Sequence, residues 1–272
     1  MNGPSPLRLT TNYDLNRSSE IRASKVPEVT LAFWIIKIAA TTLGETGGDA
    51  LSMTMQLGYA LSTAVFFALF IVTGAAQVLS KSFHPFLYWA VIVATTTAGT
   101  TMADYADRSL GIGYVGGSVV LFTLLIIALG VWRISVGSVS FNHIASPKVE
   151  IFYWVTILFS NTLGTALGDF FADDSGLGYE GAALIFAAAL VIVAAAYFYT
   201  NISRTLLFWL AFILTRPLGA TVGDLLTKPL AKGGFNLSRI SSSLIIATFI
   251  IVCILFMSQR ASGDAGKPRQ GP

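Results

Sequence analysis

Charge, cysteine and histidine are all scarce in this chain of 272 residues. Asp, Glu, Lys and Arg make up 11% of it and hydrophobic residues 54%, whereas soluble domains carry roughly 25% charged residues. Water-soluble packing cannot hide so much apolar surface, so the composition reads as a polytopic membrane protein. The single cysteine, Cys253, lies within an apolar run, which excludes an intrachain disulfide framework and a cysteine-based metal site. The two histidines, His84 and His143, fall in expected connections. No HExxH motif and no Ser–His or Cys–His pair lies in the apolar segments, so an enzyme is not expected, nor a cofactor. A net charge of +3 without a clustered basic face argues against a nucleic-acid partner. The polar N-terminal stretch lacks the apolar core of a signal peptide. Residues 1–27 and 259–272 are expected to be disordered cytoplasmic tails.

What is present is a series of apolar segments long enough to cross a bilayer, which takes about 20 residues. Eight emerge, at roughly 29–50, 58–79, 85–105, 114–133, 149–170, 179–200, 204–226 and 238–258. The expected fold is therefore an all-α polytopic membrane domain over 28–258, with eight transmembrane helices. The short connections, rich in Gly, Asp, Ser or Pro, suit tight antiparallel hairpins. With the N-terminus in the cytoplasm, the inner side receives 11 basic residues and the outer side four: Arg108, Lys228, Lys232 and Arg239. Lys37 and Arg216 are left within the membrane. The positive-inside bias places both termini inside.

A repeat runs through these segments. Trp34, Trp89, Trp154 and Trp209 are each followed after 10 residues by a glycine (Gly44, Gly99, Gly164, Gly219) and five later by an aspartate (Asp49, Asp104, Asp169, Asp224). Successive copies start 55, 65 and 55 residues apart, so first and third, like second and fourth, are separated by 120. Duplication of a two-helix unit, then of the pair, accounts for this. Each unit holds two spans, so all copies enter the membrane in the same direction, as parallel repeats at about 28–80, 84–134, 148–201 and 203–258. The aspartate lies about 22 Å beyond the tryptophan along a helix. The tryptophans suit the inner interfacial belt as anchors, and the four aspartates share one depth.

The segments "FWIIKIAATTLGETGGD", "LYWAVIVATTTAGTTMAD", "FYWVTILFSNTLGTALGD" and "LFWLAFILTRPLGATVGD" resemble a bacterial membrane-protein family built from four tandem two-helix repeats, each with a characteristic tryptophan. The resemblance covers about residues 25–258. It implies the repeat architecture and a bacterial origin, and it brings no substrate.

Chemistry must come from the residues. Positions three or four apart on a helix share a stripe. Thr42, Glu45 and Asp49 form one; Thr97, Thr100 or Thr101 and Asp104 the second; Thr162, Thr165 and Asp169 the third; Pro217, Ala220 or Thr221 and Asp224 the fourth. A carboxylate within a bilayer costs about 2.5–3.5 kcal/mol on insertion scales, so four should face one another, a cavity or a partner. Bound protons or a hard cation would relieve their repulsion, and oxygen-only donors suit Mg²⁺, Ca²⁺ or Mn²⁺. Divergence between copies points to one asymmetric site. Glu45 is unique to the first copy, Asn161 replaces a threonine in the third, and Arg216–Pro217 replaces a threonine pair in the fourth. Lys37 and Arg216 are expected to balance the acids, and Pro217 to mark a broken helix. Asp107, Asp173, Asp174 and Glu180 form an outer vestibule or are solvated loop charges.

Two glycine signals are discounted. "GIGYVGG" (111–117) has no strand before it, so a nucleotide fold is not expected. The Gly58–Tyr59, Gly113–Tyr114 and Gly178–Tyr179 pairs mark helix starts, with "GGFNLS" and Phe235 in the fourth copy.

The expected function is secondary transport of a small cation across the bacterial inner membrane, with Mn²⁺ efflux coupled to protons as the leading form. Asp49, Asp104, Asp169, Asp224 and Glu45 would hold the metal, Thr42, Thr97, Asn161 and Thr162 would complete the site, and Lys37 and Arg216 would tune its charge. The lipid bilayer and the cation are the expected partners. The alternatives are an organic cation, an anion held at Lys37 and Arg216, or a scaffold or regulator in which the aspartates only pin helices together.

Overall fold

The structure, a computed structural model, describes residues 24–140, 144, 146–257 and 260–262. Among these residues there is no strand, only an isolated antiparallel bridge between Pro27 and Ala261. The eight α-helices are α1 (Leu31–Asp49), α2 (Gly58–Leu79), α3 (Pro85–Asp104), α4 (Gly113–Val136), α5 (Pro147–Asp169), α6 (Gly178–Tyr199), α7 (Arg204–Thr227) and α8 (Arg239–Phe256). They coincide with the eight apolar segments to within a turn. Local chemistry sets their starts: Thr30 and Ser146 accept from the backbone N–H of Phe33 and Val149, and Pro85 and Pro147 sit in the first turn, where a missing N–H costs nothing. Seven helices are long and apolar enough to cross a membrane; α1, which carries Lys37, Glu45 and Asp49, is the exception.

The odd-numbered helices form a closed ring in which α1 packs on α3, α3 on α5, α5 on α7 and α7 back on α1. The even helices lie outside it. In the apolar stretches of α2, α4, α6 and α8 only 11–22% of positions are buried, against 61–72% for α3, α5 and α7. An apolar belt therefore surrounds a polar centre.

The two helices of a repeat were expected to pair as a hairpin, and they do not. Each even helix packs along the odd helix of the next repeat: α2 on α3, α4 on α5, α6 on α7, and α8 returns to α1. The cause lies in the connections. In the first three repeats the odd helix runs on into a single π-helical turn (Ala50–Thr54, Tyr105–Ser109, Phe170–Asp174). Left-handed residues then re-aim the chain: Gln56 and Gly58, Gly111 and Gly113, Gly176 and Gly178. Glycine takes this conformation without a steric penalty. The fourth repeat has instead a 3₁₀ turn, Leu230–Lys232.

The motif glycines let the ring close. A Cβ on Gly219 would lie 2.5 Å from Cβ and 2.8 Å from the carbonyl carbon of Thr41, so α7 and α1 touch through backbone. Gly44 meets Thr96, Gly99 meets Asn161 and Gly164 meets Arg216 in the same way around the ring.

Two further expectations are corrected. Pro217 does not break α7, which is continuous from Arg204 to Thr227. The α5 backbone at Gly164 lies flush against Arg216 and Pro217 and holds that segment in place. The expected N-terminal tail lies outside the described residues up to position 23, but Ser24, Lys25 and Val26 are buried. Lys25 N–H donates to Ile144 O, Glu28 N–H to Arg260 O and Ser262 N–H to Val26 O. The segments flanking the first and last helices are thus tied together at one end of the ring. His143 and residues 263–272 lie outside the described residues.

Candidate functional site

Every fourth residue before each aspartate is buried, so that five layers stack along the ring. At the tryptophan end lie Phe33, Tyr88, Tyr153 and Phe208. Next come Lys37, Ile92, Ile157 and Phe212, and then Thr41, Thr96, Asn161 and Arg216. Glu45, Thr100, Thr165 and Ala220 follow, and the four aspartates close the far end. No member of these layers is more than 4% exposed. Residues four apart form the ridge that interlocks between crossing helices, which is why this row and not its neighbour faces inward.

The tryptophan end is sealed by aromatic rings. Each tryptophan wedges against the first-layer aromatic of the preceding ring helix: Trp34 on Phe208 (5.9 Å between ring centres), Trp89 on Phe33 (5.5 Å), Trp154 on Tyr88 (5.5 Å) and Trp209 on Tyr153 (6.2 Å). Such pairs contribute about 0.5–1.5 kcal/mol each beyond the area they bury. The expected interfacial anchors are therefore staples of the ring, with Trp89, Trp154 and Trp209 buried. The Tyr88 and Tyr153 hydroxyls share a hydrogen bond of 2.7 Å between them.

In the centre, Arg216 crosses the ring. Its Nη2 donates to Glu45 Oε2 on α1 at 3.1 Å, to Thr165 Oγ1 on α5 at 2.5 Å and to Thr100 Oγ1 on α3, the helix opposite. One guanidinium nitrogen thus gathers the three polar members of the fourth layer. The remaining one, Ala220, has no polar side-chain atom. Lys37 does not balance an acid as expected: its ammonium lies 4.2 Å from the centre of the Phe212 ring.

The aspartate layer is neutralised by cations that lie four residues beyond two of the aspartates. Arg108 reaches Asp104 at 2.9 Å and Asp169 at 3.3 Å. Lys228 reaches Asp224 at 3.1 Å and Asp49 at 3.0 Å. Arg239, 3.4 Å from Asp49, adds a second cation there. Burial works against the Lys228 ammonium, but the Asp224 and Asp49 carboxylates outweigh it and hold its pKa well above the ordinary lysine value. Glu45, Asp49 and Asp224 each bring one carboxylate oxygen to within 4.8 Å of the others. The ring therefore brings together part of the expected metal set, and places Asp104 and Asp169 in a second cluster around Arg108.

Of the other expected ligands, Asn161 lies in the third layer and donates to Thr95 Oγ1 at 3.1 Å. Thr42, Thr97 and Thr162 are buried one position past the inward row. Their hydroxyls donate to Ile38, Val93 and Leu158 carbonyls of their own helices at 3.0, 2.7 and 2.9 Å. The inward row begins one residue earlier, at Thr41, Thr96, Asn161 and Arg216. Among the additional acids, Asp173 accepts from Tyr114 and Tyr179 and lies 3.8 Å from Arg108. Asp107 is buried, whereas Asp174 and Glu180 are exposed solvated charges. Sequence reasoning missed Arg108, Lys228 and Arg239, which it counted only as outer-side charges. The signal for the first two was an opposite charge four residues after an aspartate, in copies 120 positions apart.

The chain matches the family described as Repeat of Unknown Function (DUF347) four times in tandem, over residues 32–83, 87–138, 152–203 and 207–261. It belongs to that family. Each DUF347 match begins at an odd helix and runs through the following even one, so the family's unit is one ring helix with one belt helix. Comparison with curated proteins and with solved structures returned no match.

Proposed function

We propose that the chain spans the bacterial inner membrane eight times, with both termini cytoplasmic, and exports a small hard cation, Mn²⁺ foremost, in exchange for protons. The observation that carries this is the cluster of Glu45, Asp49 and Asp224, three buried carboxylates offering only oxygen, with the Lys228 ammonium against two of them. Hard divalent cations take such donors. Lys228 is then a built-in competitor. Substrate gains the carboxylates by displacing the Lys228 ammonium.

Membrane insertion is supported by the apolar belt of even helices. It also gains support from the outer cations that weigh against the charge bias. Arg108, Lys228 and Arg239 are all engaged by aspartates, which leaves Lys232 alone. The Arg216 layer and the aromatic layer lie between the carboxylates and the tryptophan end, and both must part for passage.

A second reading rests on the ion pairing of all four aspartates: they pin the ring, and the protein is a scaffold or regulator. Flux in proteoliposomes separates the two. Mn²⁺, Mg²⁺, Ca²⁺, Zn²⁺ and H⁺ are offered to wild type, Asp224→Asn and the exposed control Asp174→Asn. Metal-selective flux lost only in Asp224→Asn supports transport. Absence of flux from folded wild type leaves the structural role.

A further inference from the structure

The inner half of the ring holds buried N–H donors that the cation site does not explain. Lys37 is fully buried. Among the described residues its ammonium has no hydrogen-bond or ion-pair partner. Its layer is otherwise Ile92, Ile157 and Phe212, and its ammonium lies over the Phe212 ring. Phe212 precedes Arg216 by one turn on the same face of α7, so Lys37 stands one layer before Arg216, whose guanidinium reaches on to the fourth layer. Arg216 is also fully buried, and it engages Glu45, Thr100 and Thr165 through Nη2 alone. Its Nε and Nη1 have no partner among the described residues.

Nothing in these layers supplies the missing negative charge. Glu45 is shared with Arg216. The Thr41 and Thr96 hydroxyls already donate to the carbonyls of Thr215 and Ala40 in the neighbouring helices. With Lys37 protonated, two cations face one carboxylate where desolvation is complete, and an uncompensated buried charge is strongly unfavourable, so Lys37 holds its proton there only beside an added negative charge. A water molecule would satisfy donors but not charge. The Ser160 hydroxyl, also buried without a partner in the adjoining position of α5, is one more available O–H.

We propose that the ring binds a small monovalent anion, a halide or one of similar size, between the Lys37 ammonium and the free N–H groups of Arg216. The anion completes the charge of the inner layers and is received by N–H donors from α1 and α7, so it also ties the seam at which the ring closes. The carboxylate cluster begins two layers beyond Lys37, at Glu45, and continues to Asp49 and Asp224 in the fifth layer; Arg216 holds Glu45 through Nη2, which leaves its Nε and Nη1 for the anion.

The test is equilibrium binding of radiolabelled chloride to the purified full-length protein in gluconate buffer, with bromide as competitor. A single saturable chloride per chain, displaced by bromide and abolished in Lys37→Met, is the expected result. Lys37→Gln is the second variant, in case methionine disturbs folding. Wild type should show a chloride-dependent rise in melting temperature, and both variants should lose it. Asp224→Asn should bind chloride as wild type does, so failure of the cation reading leaves this one standing. Absence of bound chloride in folded wild type overturns the proposal, and so does undiminished binding in both Lys37 variants.

Discussion

Arg108 and Lys228 stand 120 positions apart and do the same work: each clamps the aspartate one turn before it to an aspartate of the adjoining ring helix. Removing Arg108 should strand Asp104 and Asp169, whereas removing Lys228 strands Asp224 and leaves Asp49 with Arg239, and the consequences differ. Arg108→Met is expected to destabilise by about 3–5 kcal/mol, the range for breaking a buried pair, and Mn²⁺ should not rescue it. Lys228→Met frees the Glu45, Asp49 and Asp224 cluster of its competitor. Its loss of stability should be recovered by Mn²⁺, by about 2.7 kcal/mol at one hundred times Kd. Thermal melts of both variants with and without metal decide this, and equal responses would count against the cation site.

The Arg216–Glu45 contact is the only ion pair at the fourth layer among the described residues, and both side chains are buried. Arg216→Met leaves Glu45 without a cation and should cost about 3–5 kcal/mol. Adding Glu45→Gln should return much of that loss, because the stranded charge is removed. A double-mutant cycle on chemical unfolding measures the coupling, and additive effects would mean that the pair is energetically idle.

Gly219 is where the ring closes. Gly219→Ala puts a methyl group 2.8 Å from the Thr41 carbonyl carbon, a backbone atom that cannot swing aside. Overpacking of this kind costs about 1–3 kcal/mol. Gly130→Ala, at a position with nothing within 4 Å, should be neutral or slightly stabilising. Melting temperatures of the two variants provide the comparison.

Lys25 inserts its ammonium among the Gln77, Val78 and Ser80 carbonyls at 3.0, 3.0 and 3.1 Å, and meets Glu150 at 2.5 Å. It thereby caps the end of α2 and joins it to the start of α5. Lys25→Met should cost about 3–5 kcal/mol. Hydrogen exchange should rise in the last turn of α2 and the first of α5, with the aspartate end unchanged.

Much of this arrangement was legible in the sequence, and the residues show why the rest was not. The eight helices, the four copies and the shared depth of the aspartates follow from apolar length and spacing. Glu45 and Arg216 stood out because they break the repeat. The inward row was placed one residue off, through Thr42 rather than Thr41, because positions three and four apart are equivalent on an isolated helix. Only the crossing of neighbouring helices selects the every-fourth-residue ridge. Lys25 looked like part of a polar tail because its partners are carbonyls more than fifty positions away. The displaced packing of the even helices depends on left-handed backbone at positions such as Gln56, where side-chain identity gives no warning.

That displacement has a consequence for ancestry. Because every even helix leans on the next repeat, a chain of two repeats would leave the first odd helix bare and the second even helix without a support. Those two defects are complementary. Two copies of such a half, related by a twofold axis, would satisfy each other and close the ring as a homodimer. The spacing of 120, and the matched cations Arg108 and Lys228, are what fusion of that dimer into one polypeptide would leave behind. Fusion also frees each half to change alone, and Glu45, Asn161 and Arg216 are residues that a strict twofold would have had to duplicate.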